Sequence, residues 1–101
     1  MQFHKLKTQN PYFKQTWMKN KTFEVRKNDR DFQVGDFVIL MYYNAQNPTN
    51  DLQISNQLKD CWHDHYIVGK ITFLLDDPMY CKENYVIFNL EILSCSFEGA
   101  D

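Results

Sequence analysis

The apolar residues of this chain fall into short runs with the spacing of β-strands. Residues 66–75 and 85–93 are rich in β-branched and aromatic side chains, and residues 37–43 are apolar on both faces. Residues 3–7 and 22–26 alternate with the period of two that is typical of a half-buried strand. These runs predict about five to six short strands, with residues 37–43 in a central position. Phe73 is predicted to face the core from the run 66–75, and Val86, Phe88 and Leu90 from the run 85–93.

One N-terminal helix is predicted between the first two strands. Asn10 can cap a helix that has Pro11 at its first position, and Phe13 and Trp17 lie four residues apart on one face. Asn20 tolerates the left-handed conformation that ends many helices. Residues 44–65 are rich in amides, and the helical spacing of their apolar residues within 52–61 favours a second short helix.

This order of elements predicts a mainly β (α+β) fold in one domain. Short antiparallel strands of this number usually protect their edges by closing into a small barrel. A chain of 101 residues has room for a single core, so we expect residues 1–93 to form the barrel and residues 94–101 to be a frayed tail. The apolar runs are too short to cross a bilayer, and the three cysteines form no CxxC pair, which favours a reducing cytoplasm.

The charge of the chain is unevenly distributed along the sequence. Residues 1–30 hold eight basic and two acidic side chains, a net +6, whereas the other 71 residues hold three basic and eleven acidic ones, a net −8. The chain therefore lacks the general basic surface of a non-specific DNA binder, but it can present a local anion-binding face. The alternative is that these lysines are scattered solubilising charges.

The run 20–36 is the most informative motif. Residues 20–26 read Asn-Lys-Thr-Phe-Glu-Val-Arg, and residues 27–36 read Lys-Asn-Asp-Arg-Asp-Phe-Gln-Val-Gly-Asp. This run resembles the signature of ASCH domains, which are PUA-like barrels. The chain is most similar to a small, largely phage-encoded ASCH-like family of unknown function, whose members open with a His-x-Leu-Lys strand, here residues 4–7. The likeness covers residues 3–43 well and the last two strands loosely, and Asn20 stands where the family usually has Gly.

The resemblance implies a PUA-like barrel that binds RNA or modified nucleosides. We expect the ligand in a cleft beside the first helix, near Lys21, Glu24, Arg26 and Arg30, because Glu24 and Arg26 project from one face of their strand. In the alternative interpretation, Glu24 and Arg26 form an internal salt bridge that closes the barrel next to Asp29 or Asp36, with Lys21 solvated. Aromatic side chains could stack on bases; the candidates are Tyr12, Tyr42, Tyr43, Tyr66 and Tyr85.

A second hypothesis is hydrolysis. Some small bacterial ASCH proteins, which the motif also resembles, are amidohydrolases that act on acylated cytidine. In those enzymes a threonine at the third position after the motif lysine is the proposed nucleophile. Glu24 stands at that position, and Thr22 is the nearest threonine. Lys21 as base with Glu24 as acid is a conceivable pair, and the distant glutamate of those enzymes could correspond to Glu83 or Glu91.

Two further hypotheses concern partners and metals. A protein-binding accessory factor of phage origin could use the acidic part of the chain, although its acidic residues form no run. Cys61, His63 and His65 alternate and would share one face of an extended segment, so they are weak candidates for a metal site. No cofactor is predicted, and the sequence leaves the oligomeric state open.

Overall fold

Five strands form, and each begins and ends within two residues of a predicted run. The computed structural model describes residues 1–44 and 64–96. The elements follow the order β1 (Phe3–Thr8), α1 (Tyr12–Trp17), β2 (Phe23–Lys27), β3 (Phe37–Tyr42), β4 (Tyr66–Leu75) and β5 (Tyr85–Cys95). The second helix predicted within residues 52–61 lies outside the described residues.

The strands form one sheet in the order β1-β3-β4-β5-β2. All neighbouring strands are antiparallel except β1 and β3, which are parallel. The sheet curls into a half-barrel, which confirms the prediction of a small, mainly β fold with an N-terminal helix. Although the first two strands are consecutive in the sequence, β1 and β2 lie at opposite ends of the strand order, so the curl turns their free edges toward each other.

Two bulges between β4 and β5, the first with its extra residue in β5 and the second in β4, help the sheet to curl. The register against β5 shifts between Val68 and Gly69 and again between Ile71 and Phe73, and bulges bend and twist a strand. The second bulge also moves the alternation of side chains by one residue. The predicted inward position of Phe73 is therefore wrong: its side chain is 62% exposed, and Leu74 packs against the core instead.

The core lies inside the curl and is covered at one end by α1. Phe13 of α1 is fully buried among side chains from the middle strands. As predicted, Val86, Phe88 and Leu90 of β5 face inward. The other core side chains come from β1, β3, β4 and the β2–β3 loop; they are Leu6, Phe32, Val38, Leu40, Ile67 and Ile71.

Local hydrogen bonds set both ends of α1. The helix starts one residue later than predicted, with Pro11 in place of Asn10 at the N-cap, and the side-chain oxygen of Asn10 accepts a hydrogen bond from the backbone N–H of Lys14 (2.9 Å). The left-handed residue that ends the helix is Lys19, with φ of 64°, and not Asn20 as the sequence predicted. The carbonyl of Gln15 then accepts from the N–H groups of Asn20 (2.9 Å) and Lys21 (3.2 Å), which fixes Lys21 at the entrance of β2.

A buried polar cluster joins the start of β1 to the start of β3. The carboxylate of Asp36 accepts hydrogen bonds from His4 Nε2 (2.8 Å) and from the backbone N–H groups of Gln2 and Gln33 (both 3.1 Å). Burial by itself would raise the pKa of Asp36, but these hydrogen bonds and the charge of His4 outweigh it and lower the pKa below its ordinary value of 3.8. The His4 ring also packs against Phe32, with centroids 4.7 Å apart.

The last described strand is longer than predicted. β5 continues through Cys95, and Ser96 is buried and exchanges two hydrogen bonds with the backbone of Tyr66. The strand therefore extends into the segment 94–101 that was expected to fray, and residues 97–101 lie outside the described part. Within residues 1–44 and 64–96, no helix has the length and hydropathy needed to span a membrane.

Candidate functional site

The two free edges of the sheet face each other across a gap that we call the seam. Two arginine side chains bridge it. Arg26 of β2 donates hydrogen bonds to the carbonyl of Lys7 (3.0 Å) and to the hydroxyl of Thr8 (2.8 Å) on β1. Arg30, which follows β2, donates to the carbonyl of Lys5 (2.5 Å). Arginine side chains therefore connect β1 to β2 where a closed barrel would have a backbone ladder.

The carbonyls are free for these bonds because of the strand register. On β1, the carbonyl of Thr8 accepts from the backbone of Tyr43, which follows β3. Because backbone groups of successive residues point to opposite sides of a strand, Lys5 and Lys7 turn their backbone groups toward the seam. On β2, the carbonyl of Thr22 accepts from Leu90 of β5. By the same alternation, the backbone of Val25 faces the seam.

Glu24 is the centre of an ion-pair network on the inner side of β2. Its side chain is only 3% exposed. One carboxylate oxygen accepts from Arg26 Nε (3.0 Å) and Nη2 (2.8 Å), and the other accepts from Lys21 Nζ (2.6 Å). Two cations thus surround one buried carboxylate, and the group keeps a net positive charge.

This network agrees in part with the alternative interpretation of the motif, in which Glu24 and Arg26 form an internal salt bridge. Glu24 and Arg26 do form an internal pair, as that interpretation expected. Lys21 belongs to the same network and is not simply solvated, since its side chain is 18% exposed. Neither aspartate joins the pair: Asp36 bonds to His4, and Asp29 lies 3.8 Å from Arg30.

The outer face of β2 exposes two apolar side chains ahead of Lys27. Phe23 is 49% exposed and Val25 is 53% exposed, whereas Glu24 between them is buried. This reverses the usual arrangement of a strand on a core. The arrangement is reversed because β2 is an edge strand at the seam. Its inner side faces the ion-pair network and not the hydrophobic core.

A cleft of about 650 Å³ opens at one end of the seam, beside α1. Three of the four predicted ligand-binding residues line it, namely Lys21, Glu24 and Arg26, whereas Arg30 is not part of the lining. Arg30 instead bridges the seam. The full lining also takes in residues of both edge strands, α1 and the end of β3: Lys7, Thr8, Gln9, Tyr12, Lys21, Phe23, Glu24, Val25, Arg26 and Tyr43.

Two of the five proposed stacking residues are in the cleft. Tyr12 lies on its helix side and is well exposed, and Tyr43 lies on the β3 side. Tyr42 packs against Phe13 in the core, with ring centroids 5.6 Å apart. The remaining two candidates, Tyr66 and Tyr85, do not belong to the lining. Phe23 adds an exposed ring that the sequence analysis did not single out.

Lys7 is the cleft cation that the sequence analysis missed. Its ammonium lies 4.9 Å from the centroid of the Tyr43 ring, and no described carboxylate forms an ion pair with it. Lys7 is thus better placed to meet an anion than Arg26, which already uses four of its five N–H groups within the protein. Two sequence signals pointed to Lys7, the basic bias of residues 1–30 and the His-x-Leu-Lys strand at residues 4–7, but neither placed it beside the cleft.

The residues of the hydrolase hypothesis are only partly assembled. Lys21 and Glu24 are in contact, but the hydroxyl of Thr22 donates to the side chain of Asn89 (3.0 Å) and does not line the cleft. Glu83 lies in the turn before β5, and Glu91 lies on β5 opposite Lys70. Neither glutamate lines the cleft.

The metal hypothesis involves two residues, Cys61 and His63, that lie outside the described part of the chain. The third, His65, packs its ring against Trp17, with centroids 5.0 Å apart. Among residues 1–44 and 64–96, no three His, Cys, Asp or Glu side chains are grouped closely enough to hold a metal ion. A site that includes Cys61 and His63 stays a prediction.

One family model matches a segment of the chain that contains the whole site. The model of a family described as a domain of unknown function, DUF3850, matches residues 3–90. The match includes both edges of the seam, α1 and every residue that lines the cleft. No curated protein matches the chain. By its match over most of its length, the chain belongs to the DUF3850 family of domains of unknown function.

Proposed function

We propose that this protein is a binding module for RNA or a nucleotide-like ligand, and that the ligand occupies the cleft at the end of the seam. One observation carries the proposal: the cleft combines three exposed or half-buried aromatic rings with cations on both walls. Unpaired bases stack on aromatic rings, and phosphates bind lysine and arginine. The rings are Tyr12, Phe23 and Tyr43, and the cations are Lys7, Lys21 and Arg26.

The cleft residues have different parts in this proposal. Arg26 and Glu24 form its wall, because their charged groups already bind each other and the opposite strand. Lys21 donates two hydrogen bonds, to Glu24 and to the carbonyl of Phe23, and a third N–H remains for a ligand anion. Lys7 has no described carboxylate partner and is the main phosphate-binding group in this proposal.

The resemblance of residues 20–36 to the ASCH signature supports the same class of ligand. On that ground we propose a PUA-like barrel of phage or prophage origin. We also propose that it acts in the cytoplasm, because the cysteines of the sequence form no CxxC pair and Cys81 is a buried free thiol.

Hydrolysis of an acylated nucleoside is a second candidate function. The observation in its favour is the contact of 2.6 Å between Lys21 Nζ and Glu24 Oε2 inside the cleft. Its requirements are harder to meet. Lys21 already donates to two acceptors and would have to lose a proton before it could act as a base, and Thr22 directs its hydroxyl to Asn89. Release of the acyl group from N4-acetylcytidine, in an assay with and without Lys21→Ala, tests this candidate.

RNA titration at two salt concentrations tests the binding proposal. The variant is Lys7→Gln, which removes the charge from a side chain that makes no described hydrogen bond or ion pair. The matched control is Lys70→Gln on β4, the central strand and so the strand farthest from both edges in the strand order. We expect Lys7→Gln to weaken binding and to flatten the log–log salt dependence by about 0.7, the value for one phosphate contact on a single strand.

The control should bind as the wild type does. The proposal is wrong if the wild-type protein binds neither single-stranded nor duplex RNA. It is also wrong if Lys7→Gln and Lys70→Gln have the same affinity and the same salt dependence as the wild type.

A further inference from the structure

The outer side of the seam is a basic strip that continues the cleft. Lys5 and Lys7 on β1 are exposed, because the alternate residues of that strand, such as Leu6, face the core. Lys27 is exposed at the end of β2. Arg30 crosses the gap between the strands and is 45% exposed. The strip therefore runs from Lys7 at the cleft along β1 to Phe3, and Arg30 joins it beside Lys5.

The charge of the strip contrasts with the rest of the described chain. The seam and cleft hold six basic side chains (Lys5, Lys7, Lys21, Arg26, Lys27, Arg30) against three acidic ones (Glu24, Asp29, Asp31), a net +3, and Glu24 is buried. Residues 64–96 hold two basic and five acidic side chains, a net −3. A polyanion is attracted to the seam and repelled by the strands on the other side of the sheet.

The dimensions of the strip fit several nucleotides. The exposed side chains of β1, from Phe3 to Lys7, span about 13 Å at the usual rise of a strand. At about 3.4 Å per nucleotide of a stacked strand, that length corresponds to about four nucleotides. A mononucleotide would occupy only the cleft and leave the strip without a ligand.

The aromatic rings favour unpaired bases. Tyr12 and Phe23 are exposed in the cleft, and Phe3 is 68% exposed near the far end of the strip, where it stacks on Phe37. A base that is paired and stacked in a duplex cannot lay its face on such rings, whereas a base in a single strand can.

We infer that the ligand is a single-stranded RNA of several nucleotides, which places one end in the cleft and lies along the seam toward Arg30. This inference rests on the proposed function and deepens it, because it names the class of RNA and a second contact region outside the cleft. Lys7 holds phosphate at the cleft end, and Lys5, Lys27 and Arg30 hold phosphates along the seam.

The test compares ligands of different length with variants at different positions. The ligands are adenosine monophosphate, a single-stranded hexanucleotide and the same sequence in a duplex. The seam variant is the double substitution Lys5→Gln/Lys27→Gln, which leaves the cleft intact, and Lys70→Gln on β4 is its control. Circular dichroism and the thermal midpoint establish that each variant is folded.

We expect the hexanucleotide to bind at least about tenfold more tightly than adenosine monophosphate. The seam variant should weaken hexanucleotide binding and flatten its salt dependence by about 1.4, twice the value for one contact, without changing the affinity for the mononucleotide. The duplex should bind more weakly than the single strand.

The outcomes separate this inference from the proposed function. If the mononucleotide and the hexanucleotide bind equally well and the seam variant changes neither, the ligand is confined to the cleft, and the inference is wrong while the proposed function stands. If the duplex binds as tightly as the single strand, the inference is also wrong. If no nucleotide binds to the wild-type protein, the proposed function fails, and the inference fails with it.

Discussion

Replacing the buried carboxylate of Glu24 by an amide is the most direct perturbation of the ion-pair network. In Glu24→Gln, the amide oxygen can still accept from Arg26, but the NH2 group then meets Lys21 Nζ at the position of a carboxylate oxygen that lies 2.6 Å from it. Two donors would face each other there, and both cations would lose their counter-ion. The shape of the side chain is nearly unchanged, so the experiment isolates the charge.

The expected loss of stability follows from the burial of the three groups. Breaking a buried ion pair by removing one partner typically costs about 3–5 kcal/mol. Glu24 is 3% exposed, but Lys21 and Arg26 are 18% and 23% exposed, so water can partly solvate the cations. We therefore take the lower limit, about 3 kcal/mol, which corresponds to a decrease of about 12–24 °C in the thermal midpoint of a domain of this size.

Urea denaturation followed by intrinsic fluorescence measures this loss. The control is Glu91→Gln, the same chemical change at an exposed position of β5, which should shift the free energy of unfolding by less than about 0.5 kcal/mol. Adding Arg26→Gln to Glu24→Gln should cost clearly less than the sum of the two single changes, since the residues are in contact. A loss below about 1 kcal/mol for Glu24→Gln, or additive effects in the double variant, would show that the carboxylate does not hold the two cations.

Two further predictions concern the cluster around Asp36 and the close packing of Gly69 against β5. Because folding lowers the pKa of Asp36 below 3.8, its ionised form stabilises the fold above that pH, and this contribution is lost as the pH falls through the lowered pKa. Asp36→Asn should thus lose less unfolding free energy than the wild type between about pH 5 and pH 2.5 in urea titrations, and an equal loss in both proteins would contradict this. A Cβ at Gly69 would lie 3.2 Å from Leu90 Cβ and 3.3 Å from the carbonyl of Glu91. Gly69→Ala should therefore decrease the free energy of unfolding by about 1 kcal/mol and lower the thermal midpoint. This value already includes the small gain that alanine gives by restricting the unfolded chain. An unchanged or higher midpoint would refute the close contact.

The strands could be predicted because their signal is local. A period of two and a high content of β-branched and aromatic residues describe a strand without reference to its neighbours. The same local rule predicted Phe73 inward and was wrong, because the bulge after Ile71 is a property of the pairing between β4 and β5. The C-terminal end of β5 was missed for a similar reason, since the contact of Ser96 with Tyr66 spans 30 residues.

The candidate site was half predictable from the sequence. Lys21, Glu24 and Arg26 lie within six residues of each other, so one strand with one helix end before it is enough to bring them together. Lys7 was not found, because its place beside the cleft depends on the curl of the whole sheet. Arg30 was grouped with the cleft because it belongs to the motif 20–36, but its side chain instead bonds to the carbonyl of Lys5 across the seam.

The sequence alone thus determined the strands and the helix of the described residues, the buried face of β5, and the grouping of Lys21 with Glu24 and Arg26. Each of these depends on residues that are close in the chain. Only the tertiary structure decided that β1 and β2 are the two edges of one curled sheet. That arrangement brings basic residues from separate segments to a single seam, buries Glu24 between two cations and exposes Phe23 and Val25. The alternation of side chains along a strand predicts which residues share a face. Only the packing of the whole sheet determines whether that face lies against the core, the seam or solvent.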